Sequence, residues 1–274
     1  MPELPEVETT RLGVIDYAMG QKLQSVHCSQ KKMRYPCDII FDEIIGLTCV
    51  DIGRRAKYLI FNFGLKKFLI HLGMSGSLRV EVTKKRSQKK HDHFEFVFSN
   101  GYSLIFHDPR RFGFVVGYSH DWQSKMDKWG PEPLSNQFEY KGLLEKCKHT
   151  SRSIKQVLMD QQTVVGVGNI YANEVLFELG IHPLHKACDL SDNKAKAIVI
   201  AIKNILQKSI EQGGTTLRDF VSGQAKPGYF KQSLNVYGRD NKPCYVCDTK
   251  IERIMISQRS SFYCPKCQPL SVNK

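Results

Sequence analysis

Two cysteine pairs near the carboxyl end, Cys244-x2-Cys247 and Cys264-x2-Cys267, stand 16 residues apart. That is the spacing of a four-thiolate zinc site, with each pair on a tight knuckle and the intervening segment forming a hairpin. A closed set of four thiolates leaves no open coordination position, so one Zn2+ here holds the fold together and does no chemistry. Cys28, Cys37, Cys49, Cys147 and Cys188 are scattered among apolar neighbours and read as small buried hydrophobes. The finger occupies only the last part of a 274-residue chain, which leaves room for two further domains with sizeable cores.

Two large classes are set aside at once. The longest apolar stretches, such as Ile198 to Ile202, are broken by lysine well short of a membrane span. The terminus Met1-Pro2-Glu3-Leu4-Pro5-Glu6 is acidic and proline-punctuated, unlike a secretory signal, so the cytoplasm is the expected compartment. Charge then narrows the partner. Residues 51–100 carry 11 basic and 4 acidic side chains and residues 201–274 carry 12 and 5, so each block holds +7 of the chain's +13. Two separated basic blocks without a basic amphipathic helix point to nucleic acid and away from a membrane, against the plainer reading of a well-solvated basic surface.

From Pro5 to about Met19 the apolar residues have helical spacing, and Gly20 ends the run. Residues 22–118 change to short aromatic and β-branched segments, among them 57–61, 68–70, 77–82, 93–98 and 102–106, with a hairpin signal at Ser99-Asn100-Gly101. An antiparallel β-sandwich is expected there. The basic run 84–90 reads as a solvated loop. Trp129-Gly130-Pro131-Glu132-Pro133 breaks the pattern, and helices return around Ile154 to Leu158, Ile170 to Leu179, and Ser191 to Gly213. The class is α+β.

Gly166-Val167-Gly168 just ahead of a helix could expose N–H groups to a phosphate or simply make a tight turn. Asp108-Pro109-Arg110-Arg111-Phe112-Gly113 sets an arginine pair and a phenylalanine in a turn, suited to phosphate contact and base wedging or to a salt-bridged loop with a core ring. His91-Asp92-His93 could suggest a metal pair, although alternate strand positions favour a satisfied structural role.

Taken together with Pro2 to Thr9, Arg54 to Leu59, His71 to Gly76, Gly166 to Glu174, Gly213 to Asp219, Pro227 to Phe230, Val236 to Arg239 and the cysteines, these segments resemble the bacterial formamidopyrimidine-DNA glycosylases, which are also AP lyases. The resemblance runs from Pro2 to Cys267. It implies an N-terminal catalytic β-sandwich with flanking helices at 1–130, a linker at 131–149, a helix-two-turn-helix domain with a lesion-capping loop at 150–235, and a zinc-finger hairpin at 236–270. The basic blocks become the walls of a DNA cleft, and the partner is damaged double-stranded DNA met by a monomer at the nucleoid.

The family's chemistry assigns roles to particular residues. Removal of Met1 exposes the secondary amine of Pro2 as nucleophile toward C1′, with Glu3 as general acid/base and Glu6 supporting it; helix-terminus charge complementarity is a compatible role for both glutamates. By the same resemblance, Lys57 serves β-elimination and Arg259 grips the phosphate for δ-elimination. Met74, Arg110 and Phe112 fill the void left by the extruded base, Arg110 pairing with the orphaned cytosine. His91, Lys155 and Asn169 match DNA-backbone contacts, and residues 221–230 match the lid. The family often carries a basic residue where this chain has Ser151, and Arg152 stands one position on. Two alternatives compete: an endonuclease VIII-like enzyme for oxidised pyrimidines, against which Leu4 and the intact trio speak, and a non-catalytic zinc-ribbon DNA-binding protein, which has no use for Pro2-Glu3.

Overall fold

The structure is a computed structural model and describes residues 2–29, 31–37, 41–86, 89–214 and 234–270. Two compact units divide the chain: residues 1–127 with 210–231, and residues 128–209 with 232–274.

In the first unit, α1 (Leu4–Ala18) starts where Pro5 fits the first turn and Glu3 supplies the cap, and it buries Leu4, Val7, Val14 and Ala18. Two four-stranded antiparallel sheets follow. One has the order β1 (Leu23–Cys28), β6 (Asp92–Phe98), β7 (Tyr102–His107), β5 (Ser77–Val82). The other runs β2 (Asp51–Arg55), β3 (Tyr58–Phe63), β4 (Lys66–His71), β8 (Phe114–Gly117). The alternation expected for a half-buried strand is plain in β3, where Leu59, Phe61 and Phe63 are buried and the residues between them are only partly so.

The sheets meet face to face through phenylalanine. Phe61 stacks on Phe68 at 4.9 Å within one sheet, and Phe68 stacks on Phe96 of the other at 5.2 Å. Such pairs add about 0.5–1.5 kcal/mol each beyond the area they bury. This is the expected β-sandwich, with Val7, Val14 and Ala18 of α1 in the same core. The β6–β7 hairpin turns at Asn100 and Gly101, where Gly101 takes φ +83° and Asn100 Oδ1 accepts from Tyr102 N. A short α2 (His120–Asp127) buries only Met126.

The second unit is helical. It contains α3 (Tyr140–Lys148), α4 (Ile154–Leu158), α5 (Asn169–Glu178) and α6 (Asp192–Glu211), then the hairpin β9 (Glu252–Ile256) and β10 (Arg259–Tyr263). The segment 131–149, expected as a linker, thus carries α3, whose Leu143 and Cys147 are buried. Helix α5 is buried from Ile170 through Phe177 and stops at Gly180, whose φ of +63° suits a left-handed C-terminal position. The lid expected at 221–230 lies outside the described residues.

No described helix is long and apolar enough to cross a membrane.

Candidate active site and nucleic-acid interface

At the start of α1 the local sequence brings two carboxylates together. Glu3 and Glu6 form a reciprocal capping box in which Glu6 Oε2 accepts from Glu3 N at 2.8 Å and the Glu3 side chain accepts from Glu6 N. Both glutamates and Pro2 are buried, the glutamates to 2% and 1% residual exposure, so the helix-capping role and a chemical role occupy the same atoms. The backbone at Gly214 lies against Glu6: a Cβ there would stand 3.3 Å from Glu6 Oε1.

Lys57 sits in a turn that is fastened to α1. The β2–β3 connection is only Ala56-Lys57, with Ala56 at φ +54°. Arg54 fastens that turn, donating to Ala56 O at 3.0 Å and pairing with Glu8 of α1 at 2.8 Å. Glu8 also binds Arg11; burial acts to raise its carboxyl pKa, but the two guanidiniums hold it below the ordinary value. Lys57 is therefore carried on a turn pinned to α1, itself buried to 8% exposure.

Met74, Arg110 and Phe112 come together from two loops. They line one cleft of about 650 Å3 with Lys32, Arg34, His71 and Arg111. Arg110 lies over the Phe112 ring at 5.1 Å, and Met74 and Phe112, 40% and 42% exposed, line the same cleft beside it. The reading of Phe112 as a core ring therefore does not hold. The organiser is Asp108, fully buried, whose carboxylate accepts from Ser75 Oγ at 2.6 Å, Arg110 N at 3.2 Å and Gly113 N at 2.8 Å. One polar side chain thus ties the Met74 loop to the Arg110 loop.

Backbone packing does the rest. Gly73 has φ +67°, and a Cβ on it would lie 2.3 Å from Gly113 N. Gly73→Ala should lower stability by about 2–4 kcal/mol through overpacking and the left-handed backbone. A loss of less than about 1 kcal/mol in denaturant unfolding would show that the two loops can separate freely.

His71 was not singled out from the sequence for a role, yet it lines the same cleft. Its Nδ1 accepts from Gly73 N at 3.1 Å, and burial, with the charges of Lys57 and Arg34, pushes its pKa down to about 3. The ring is neutral at physiological pH and carries its proton on Nε2. Its signal in the sequence was the histidine directly before the Leu72-Gly73-Met74 turn.

His91 stands beside His107, ring centroids 5.8 Å apart, and His107 Nδ1 contacts buried Asp92 at 2.9 Å. His93 is buried with both ring nitrogens engaged, by Ser29 Oγ at 3.0 Å and Asp108 O at 2.9 Å. That is the satisfied structural role.

In the second unit the remaining candidates surround the β9–β10 hairpin. Arg152, Lys155 and Arg259 line a cleft of about 250 Å3. Arg259 is exposed at the start of β10, directly after the turn residues Ser257 and Gln258 at φ +46° and +62°. Arg152 is exposed and paired with Asp160 at 2.8 Å. Lys155, by contrast, is buried to 1% exposure and donates to Ser261 Oγ at 2.5 Å and Ser260 O at 3.3 Å. Asn169, the first residue of α5, donates from Nδ2 to the same Ser260 O at 2.8 Å.

The four cysteine sulfurs all lie within 4.8 Å of one another, with separations of 3.9 Å (Cys244–Cys267) and 3.4 Å (Cys247–Cys264 and Cys247–Cys267). Four thiolates about 2.3 Å from a tetrahedral Zn2+ stand about 3.8 Å apart, so the set fits the metal. Val246 N and Cys267 N donate to Cys244 Sγ and Cys264 Sγ, each at 3.4 Å, as expected at knuckles. The site holds one structural zinc.

Two residues outside the expected set anchor this finger. Buried Gln268 accepts from Cys264 N at 3.0 Å and donates to Ile181 O at 2.8 Å. Buried Glu174 accepts from the N–H groups of Asn235, Val236 and Tyr237 at 2.7, 3.0 and 2.9 Å. Neither carries a motif-level signal of that pairing. Among the described residues no further set of three or more metal-ligating side chains comes together.

The likenesses to known proteins extend over both units. The family model described as the formamidopyrimidine-DNA glycosylase N-terminal domain matches residues 1–115, that of the glycosylase's H2TH domain matches 129–221, and that of the zinc finger found in FPG and IleRS matches 241–270. The formamidopyrimidine-DNA glycosylase of Hydrogenovibrio crunogenus is 45% identical over 98% of this chain and 96% of its own length. That of Haemophilus influenzae is 46% identical over 98% and 99%. Among solved structures, the MutM (Fpg) protein of Thermus thermophilus superposes with a TM-score of 0.87 at 33% identity, covering 99% of this chain and all of the other. A Lactococcus lactis FPG mutant bound to Fapy-dG-containing DNA gives 0.89 at 34%, over 98% of this chain and all of the other. With full-length relatives at this level and all three segments matched in order, the chain belongs to the formamidopyrimidine-DNA glycosylase family.

Proposed function

We infer that this protein is a base-excision repair enzyme that removes oxidised purines, 8-oxoguanine and ring-opened formamidopyrimidines, from duplex DNA and then cleaves the abasic strand as an AP lyase. The observation that carries the reading is the cleft in which Met74, Arg110 and Phe112 meet with half-exposed apolar side chains. An enzyme that extrudes a base must fill the vacated stack, and a cation beside a wedge-shaped ring is suited to that task. Work on chromosomal DNA places the protein in the cytoplasm, at the nucleoid.

In this reading, the Pro2 amine, freed by loss of Met1, attacks C1′ as the damaged base leaves. An α-amino group titrates at about 7.7–8.0 in peptides, so a useful neutral fraction exists near pH 7. Glu3 donates and accepts the protons of ring opening, and Glu6 orders it through the capping box. The resulting Schiff base acidifies the sugar for β-elimination, assisted by Lys57. Arg259 neutralises the phosphate that departs in δ-elimination. Arg110 reads the orphaned cytosine, and His91, Lys155 and Asn169 hold the DNA backbone, Lys155 and Asn169 from beside the hairpin carbonyl they both bind. The support for these assignments is residue-by-residue agreement with the family pattern, the meeting of Met74, Arg110 and Phe112 in one cleft, and the grouping of Lys155 and Asn169 around the hairpin that carries Arg259.

The test is Arg110→Ala, assayed on 8-oxoguanine opposite cytosine and opposite adenine across a salt series. A bidentate base contact is worth about 1–3 kcal/mol of discrimination, so the cytosine-to-adenine preference should collapse by that amount. A phosphate-only arginine weakens both duplexes equally and lowers the salt slope by about one counterion. An unchanged preference with uniformly weaker binding would remove Arg110 from the reading role.

A further inference from the structure

The hairpin tip that presents Arg259 is an unfavourable piece of backbone. Its two turn residues, Ser257 and Gln258, both take positive φ, at +46° and +62°, and neither is glycine, asparagine or aspartate. Such a turn costs free energy at each residue and persists only where surroundings impose it. The paired strands close it from one side through Arg259 against Ile256. Another constraint comes from α4. Gln156 donates from Nε2 to Ser257 Oγ at 2.6 Å, while its Oε1 accepts from Ser153 N at 2.9 Å and Ser153 Oγ at 3.1 Å. One amide therefore closes the capping box of α4 with its oxygen and holds the tip with its nitrogen.

The neighbouring bonds complete a clamp. Lys155 and Asn169 fix Ser260, and Lys155 fixes Ser261, on the carboxyl side of Arg259; Gln156 fixes Ser257 on the amino side. The Arg259 carbonyl accepts from Ser261 Oγ at 3.4 Å, but its guanidinium makes no hydrogen bond or ion pair among the described residues and the residue is exposed. Its placement thus depends on the backbone that its neighbours hold.

We propose that Gln156 is a positioning residue for strand cleavage, tethering the strained tip at Ser257 so that Arg259 is held ready for the phosphate. The proposal rests on the phosphate-gripping role of Arg259 given above. Loss of the tether lets the tip relax and Arg259 spread over other directions, which slows δ-elimination relative to β-elimination. Base excision by the first unit's groups is spared.

The experiment measures two things on Gln156→Ala and Ser257→Ala in the zinc-loaded full chain, with Ser153→Ala and Arg259→Ala alongside. One is the ratio of δ- to β-elimination products on abasic duplex DNA, a quantity from which the fraction of folded enzyme cancels. The other is amide hydrogen exchange in residues 257–261 without DNA. For the loss of one neutral hydrogen bond, both tip variants should lower the ratio and speed exchange by about 3- to 10-fold. Ser153→Ala, which loosens the α4 cap and leaves the Ser257 bond, should change neither. Gln156→Ala in an Arg259→Ala background should lower the ratio no further. Unaltered exchange in both tip variants, or an unaltered ratio while Arg259→Ala lowers it, overturns the proposal. If Arg259→Ala itself leaves the ratio intact, the Arg259 reading fails instead, and accelerated exchange in the tip variants would show the tether to be real but without catalytic purpose, which also overturns it.

Discussion

Pro2→Gly, with Met1 removed, should retain binding to 8-oxoguanine duplexes and lose most base excision in single-turnover assays. The change replaces a secondary amine on a rigid ring with a mobile primary amine, and attack at C1′ depends on the amine being held in near-attack geometry. A loss of about 100-fold or more is expected, the scale on which a misplaced reacting group reduces rate. The binding sites of the trio cleft are untouched, because Pro2 is not among the residues that line it. Parent-like excision by Pro2→Gly would sink the terminal-amine mechanism.

The zinc site should fail differently. Cys264→Ser removes one of four sulfurs from a set packed with Phe177, Val236, Ile251 and Phe262, and Cys264 itself is fully buried. Metal release should unravel the segment from about Val236 onward, since structural zinc supplies folding free energy that so small a hairpin cannot replace. DNA binding weakens because Arg259 loses its mount, yet the β-sandwich, with its own phenylalanine core, should still melt cooperatively. Metal content and a thermal scan check both halves. Full zinc occupancy in Cys264→Ser would contradict the four-thiolate site.

These two predictions start from different kinds of sequence information. The zinc ligands were readable because knuckle spacing is a property of the chain itself. The sandwich was readable for a similar reason: β3 and β6 are rich in phenylalanine and valine, and only a two-layer core can bury so many rings. Strand β2 was not legible on its own, since Asp51-Ile-Gly-Arg-Arg buries only Ile52 and is a strand because β3 pairs with it. Helices α2 and α3 were missed because they bury one and two side chains respectively, too few to leave a periodic stripe.

The site follows the same division. Pro2, Glu3 and Lys57 carry no pattern that spacing alone would single out, and the roles proposed for them rest on the family resemblance. Gln156 and Gln268 bind partners about 90 to 100 positions away, Ser257 and Ile181. Such pairings are made by tertiary contact and leave no local signature. Asp108 lies between these cases: its position before a Pro-Arg-Arg turn hinted at a loop, but its bond to Ser75 could be found only in the folded chain.

The central claim is that the chain's own amino terminus is the covalent catalyst. Borohydride reduction during reaction with an 8-oxoguanine duplex tests it most directly, because it traps a Schiff base as a stable secondary or tertiary amine whose attachment point peptide mass spectrometry can locate. The account predicts one protein–DNA adduct, formed by chains lacking Met1 and mapped to Pro2. An adduct mapped to Lys57 or another lysine, or efficient trapping by chains that retain Met1, would contradict it.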